Sequence, residues 1–172
     1  MYLKSRRGNI LFEFALAGIP IMLLIVSVIE ISRGMWTYCT LSYAVTEASR
    51  MAIVGGADCG IGGNSCTTLV STIARKISSS SAKRFDSKMN VTLSSTGGGP
   101  TYPCNPLSSC FISHIGSGQF PGYPGNAPGS DVIVTATVPF QSPLTMFFPG
   151  LTNSTGGITI TLHATSQEPI QF

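Results

Sequence analysis

Glu13 is the only acidic residue among the first 29 positions, and it stands five residues beyond Gly8 at the head of an apolar run that reaches Ile29. A charged carboxylate placed centrally in a bilayer costs on the order of 2.5 to 3.5 kcal/mol on insertion scales. It therefore needs a partner. Cutting the peptide bond after Gly8 would supply one, because Asn9 then carries a free α-amino group close to Glu13 on the first helical turn. The helix dipole favours an anion there as well. The carboxylate is neutralised by its own amine or by a neighbour's. Gly8 suits such a cut, since a protease at a membrane surface needs an accessible bond and glycine puts no side chain in the way.

Cysteine is the second chemistry-bearing type, with five in the chain. Cys59 and Cys66 flank a glycine-rich loop, and Cys104 and Cys110 flank Asn-Pro-Leu-Ser-Ser. Four cysteines allow three connectivities, and short loops close readily, which favours 59 with 66 and 104 with 110 in an oxidising compartment. Cys39 is left over inside a helical pattern, where the expectation is a small buried apolar residue.

These residues need elements to carry them. Sixteen uncharged residues separate Glu13 from Glu30. Counted from Ile10, the apolar segment spans a hydrocarbon core of about 30 Å at about 1.5 Å per residue only if Glu13 is admitted near one face. Lys4, Arg6 and Arg7 precede it and place the N-terminus in the cytoplasm. A secretory signal peptide would be followed by a small-x-small cleavage site, whereas this segment runs into Glu30, Arg33, Met35 and Trp36.

The helix does not stop at the membrane. No proline occurs from Ser32 to Val54, Glu30 with Arg33 and Glu47 with Arg50 make i,i+3 pairs, and Ala44, Ala48 and Ala52 recur at helical spacing. One helix from Asn9 to Val54 is expected, with Gly55-Gly56 as its stop and Pro20 as a possible kink. Downstream, Ser65 to Phe85 reads as an amphipathic helix with Leu69, Val70, Ile73, Ala74 and Ile77 on one face. Met89 to Leu93, Asp131 to Phe140 and Gly157 to Thr165 alternate as strands. Thr96 to Ser130, dense in Gly and Pro, reads as an ordered irregular excursion, and Phe147-Phe148-Pro149-Gly150 as an aromatic loop over an open core edge. The expected fold is α+β. A long helix over 9–54 follows a leader over 1–8 and carries a small head over 55–172, with an antiparallel three- to four-stranded sheet and one packed helix.

Arg7-Gly8 with Glu13-Phe14 is similar to the prepilin-peptidase site of class IVb and Flp-type prepilins. More narrowly, Arg7-Gly8 through Glu13-Phe14-Ala15-Leu16, then Pro20, Glu30-Ile31-Ser32-Arg33-Gly34 and Glu47-Ala48-Ser49-Arg50, resemble the TadE-like family of pilin-like proteins. The resemblance runs over residues 6 to 54 and is weaker over Val132 to Val138. It implies a pseudopilin or minor pilin of the tight-adherence machinery, cleaved between Gly8 and Asn9 by a dedicated membrane peptidase. Arg7, Glu13 and Phe14 complete the motif. The implied partners are the prepilin peptidase, other pilin subunits, the inner-membrane assembly platform and membrane lipid before assembly. The implied location is the inner membrane, then the periplasm or a surface pilus.

Other classes fare worse. Beyond Gly8 seven bases face seven acids, so the basic excess belongs to the leader and suggests no nucleic-acid surface. His114 lies in an apolar context and His163 on a strand, which makes a Ser/His/Asp constellation through Asp86 or Asp131 a weak reading. The cysteine spacings lack the close pairing of structural zinc, and Gly60-Ile61-Gly62-Gly63-Asn64-Ser65 lacks the Lys-Ser/Thr ending of a phosphate loop. No metal, cofactor or catalysis is expected. Two further readings stay open: the major subunit of a filament, and a membrane-tethered adhesive or sensory domain that never polymerises.

Overall fold

The structure is a computed structural model that describes residues 7–55, 68–81, 85–112, 114–142 and 159–170. It forms two units, Met1–Met35 with Gln141–Ile158, and Trp36–Phe140 with Thr159–Phe172. Helix α1, Arg7–Ile53, has 47 residues and contributes to both. It runs through Pro20 without interruption, and Gly55 donates its N–H to the Ala52 carbonyl at 3.0 Å just beyond its end. Hydroxyls within the helix bond back to carbonyls four residues earlier, Ser27 to Leu23 and Ser32 to Val28 at 2.8 Å each. Such back-bonding satisfies a polar group without calling on water or a neighbour.

The second unit takes its core from three sources. From α1 come Leu41, Ala44, Val45, Ala48 and Ala52, all at most 2 % exposed. Their i, i+3, i+4 recurrence draws one stripe down the helix, and the alanines allow close approach. Helix α2, Val70–Ser80, turns Val70, Ile73, Ala74 and Ile77 into the same core. A four-stranded sheet supplies the rest, in the order β3-β2-β5-β6, with β2 Asn90–Ser95, β3 Tyr102–Cys104, β5 Asp131–Gln141 and β6 Thr159–Pro169. Strand β2 pairs antiparallel with both neighbours, Val91 opposite Cys104 and Ala136. On the far side of β5, the backbone bond from Ile170 to Ser130 and the Thr135–Thr165 hydroxyl contact at 3.2 Å fix β6 antiparallel as well. Val132, Val134, Ala136 and Val138 are buried while the residues between them are half-exposed, as the period of two requires. Among the described residues, helices cover one face of this sheet.

Several expectations are revised by tertiary contacts. The excursion from Thr96 to Ser130 holds β3 and also β4, Gln119–Phe120, which pairs with β1, Thr68–Leu69, in a separate two-stranded ribbon. Leu69 therefore belongs to a strand and is 46 % exposed rather than lying on the buried face of α2. Strand β6 continues past Thr165 to Pro169 beside β5, with the Ile170 N–H bonded to the Ser130 carbonyl at 2.9 Å, and Ser166 meets buried Ser49 through their hydroxyls at 2.8 Å. In the loop that returns to β4, Tyr102 lies against Gly118, where any Cβ would collide with the ring. The aromatic loop around Phe147 falls outside the described residues.

Candidate functional site

Among the described residues helix α1 runs from Arg7, so Gly8 and Asn9 have helical backbone. The helical backbone at Arg7 and Gly8 differs from a helix starting at Asn9. Loss of residues 1–8 would make Asn9 the new start and return Glu13 to the fifth position, within reach of the dipole.

Around Glu13 the helix shows large apolar side chains in every direction. Phe12, Phe14, Leu16, Met22, Leu24 and Val28 are each 63 % exposed or more, and Glu13 itself is exposed. An amphipathic helix would bury one full stripe of these, whereas here only Leu23 and Val26 are half-buried. Such a surface is unstable in water and must be covered by lipid or by other protein. Within Phe12–Ile53 the helix is long and apolar enough to cross a membrane.

The apolar run ends at Glu30 and Arg33. Glu30 is buried, its Oε1 lies 3.5 Å from Arg33 Nη1, and its Oε2 has no hydrogen-bond partner. Arg33 Nη2 donates to the Gln141 carbonyl at 2.7 Å, tying the end of β5 to the helix. The second expected pair is present too: Arg50 Nη1 lies 3.9 Å from Glu47 Oε1, and Lys76 of α2 approaches Oε2 of the same carboxylate at 3.5 Å. Sequence spacing reveals the i,i+3 pairs but not Lys76 or Gln141, whose proximity depends on the tertiary fold.

This helix carries all the matching features at once: a helical Gly8–Asn9 bond, an exposed Glu13 among exposed aromatics, an internal Pro20, and the two acid–base pairs. Residues 8–50 match the family described as TadE-like protein. The segment is TadE-like. That family is associated with the tight-adherence pilus and is structural rather than catalytic. No curated protein and no solved structure matches the chain. Beyond the TadE-like segment, the head rests on its own geometry.

There Cys104 and Cys110 form a disulfide with Cα atoms 5.5 Å apart, closing β3 onto the 3-10 turn Leu107–Cys110, and both are fully buried. Cys59 and Cys66 lie outside the described residues. Cys39 is a free thiol and is exposed, which corrects the expectation of a buried one. The core stripe of α1 passes through Thr37 and Leu41, and at 100° per residue Cys39 faces about 160° away from both. A helix apolar on every side gives the sequence no means of saying which side is covered. Among the described residues, no group of three or more His, Cys, Asp or Glu could hold a metal ion.

Proposed function

We propose that this chain is a prepilin-like subunit of a tight-adherence pilus, a minor pilin or pseudopilin, cut after Gly8 and assembled through its apolar helix. The observation that carries this reading is the exposed apolar surface of α1 from Ile10 to Ile29, interrupted by the carboxylate of Glu13. The helix is first stored in the inner membrane, with Lys4, Arg6 and Arg7 on the cytoplasmic side. Cleavage by a prepilin peptidase removes those three charges and creates an α-amine with which Glu13 can pair. What remains is nearly neutral. It can leave the bilayer sideways and exchange lipid contacts for contacts with other subunits at the assembly platform, with little change in buried apolar area. Its carboxylate is then paired with the α-amine of a neighbour.

Two measurements test this. Mass spectrometry of the chain from cells that contain the peptidase should find Asn9 at the N-terminus, and a mature chain that begins at Met1 would refute the reading. In the same cells Glu13→Ala should be cleaved normally but recovered in sheared filaments at one-tenth of the native amount or less. Normal incorporation of that variant would leave cleavage standing and remove the charge-pairing step.

A further inference from the structure

Helix α1 keeps an apolar exposed side beyond Glu30, the acid that closes its apolar run. Ile31, Met35 and Trp36 are each at least 60 % exposed and Tyr38 is 46 % exposed. At 100° per residue these four fall within an arc of about 160°, while buried Glu30 and Thr37 lie on the other side of the helix. Helical side chains lean toward the N-terminus of their helix. The rings of Trp36 and Tyr38 therefore reach back over the preceding turn, toward the membrane-length segment.

Length decides what meets this side. Glu13 and Trp36 are 23 residues apart, which is about 34 Å along a helix. A hydrocarbon core measures about 30 Å, and a bilayer with its headgroup layers about 40–45 Å, so a centred helix puts both residues about 2 Å outside the hydrocarbon, one in each polar layer. A core set from Ile10 to Ile29 would instead draw Glu13 about 4 Å into hydrocarbon and leave Ile31, Met35 and Trp36 uncovered. Glu30 supports the first register independently. It stands about 25 Å beyond Glu13, still at hydrocarbon depth, and it is 8 % exposed although Ile29 and Ile31 beside it are 58 and 66 % exposed. A carboxylate at that depth is costly against lipid. This one is covered by protein, and Arg33 Nη1, 3.5 Å from its Oε1, carries the opposing charge toward the polar boundary. Tyr43, about 45 Å from Glu13, falls outside the bilayer.

We infer that Ile31, Met35, Trp36 and Tyr38 form a collar that seats the membrane-stored chain in the headgroup–acyl boundary of the outer leaflet, with Trp36 setting its depth. Rings with an apolar body and a polar tip suit that layer, because the body meets acyl chains while the indole N–H or phenol O–H meets water and headgroups. The inference deepens the proposed storage of α1 in the inner membrane and rests on it. Release of the subunit must then lift Trp36 out of the boundary, so its emission reports extraction.

Trp36 is the chain's one tryptophan, so depth-dependent quenching reads it without a label. The uncleaved full-length chain in phosphatidylcholine vesicles should be quenched at least twofold more by lipid carrying a nitroxide at acyl carbon 5 than by lipid carrying it at carbon 12. In a Trp36→Phe background, Ile21→Trp lies about 5 Å from the bilayer centre and should show the reverse order. Tyr43→Trp in the same background should respond to aqueous iodide and to neither lipid. Trp36 quenched more by the carbon-12 label, or by iodide alone, overturns the collar. If Ile21→Trp still shows its expected order, membrane storage survives that result; if no lipid label quenches Ile21→Trp either, storage and collar fall together. Lipid quenching of Trp36 that is absent at high protein density and emerges only on dilution with lipid overturns the collar in favour of a second copy on this side of α1.

Discussion

The two halves of helix α1 differ in side-chain size and lie in opposite environments. From Ile10 to Ile31 most side chains are large, and the exposed apolar ones keep 51–76 % of their surface open. From Leu41 to Ala52 the core-facing residues are small, with three alanines at spacing four and no more than 2 % exposure. Size explains the division. Alanine at successive turns lets a sheet and a second helix come close to the α1 backbone, whereas Ile, Leu, Phe and Met present area that only an outside partner can cover. One half of the helix is packed by its own chain, and the other keeps its large apolar side chains open among the described residues.

The strongest way to break this contrast is to remove the same atoms from both sides. Ile73→Ala in α2 deletes a fully buried side chain that packs with the alanine stripe of α1, and should destabilise the head by about 2–5 kcal/mol. Ile21→Ala, at a side chain 56 % exposed, should leave the unfolding midpoint in detergent unchanged. Denaturant titration followed by tryptophan fluorescence reads both variants. Equal losses would mean that the exposed half is packed within the chain after all.

Next in size is the disulfide. Replacing Cys104 and Cys110 with serine removes a cross-link over a separation of six residues, which should cost about 2 kcal/mol by loop-closure entropy. The loss should appear in hydrogen exchange at β3 and the following 3-10 turn, while amides between Phe12 and Ile29 are unaffected. Equal acceleration along the apolar half would join what the contrast separates.

The same contrast explains what could be read without coordinates. The course of α1, the burial of Ile73 and Ile77 on α2, and the alternation in β5 are each encoded by periodicity within one segment, so they were legible. The acid–base pairs were legible for the same reason. Features that depend on a second segment were not. Strand β3 was hidden by Pro103, which an edge strand tolerates because no ladder partner needs its N–H on that side. The β1–β4 ribbon consists of two residues per strand and is fixed by the pairing of Thr68 with Phe120. A cysteine inside a helical pattern is expected in the interior as a small apolar residue, yet only the position of the sheet determines which side of α1 is covered. The Thr135–Thr165 hydroxyl contact emerges from register, which no single strand discloses.

The smallest expected effect sharpens the contrast from the polar side. Glu47 lies on the buried half of α1 and meets Arg50 and Lys76 at 3.9 and 3.5 Å, yet its side chain keeps 26 % of its surface and both bases are more open still. Pairs of this kind give back in side-chain entropy and hydration much of what they gain by attraction, so Glu47→Gln should cost about 0.5 kcal/mol. That loss should shrink as salt is raised from 0.05 to about 0.5 M, since charges at the surface are screened over a few ångströms there. The cost of Ile73→Ala should not shrink under the same conditions. A Glu47 effect as large as the Ile73 effect, or one insensitive to salt, would mean that charge rather than close apolar packing holds the second half of the helix to its head.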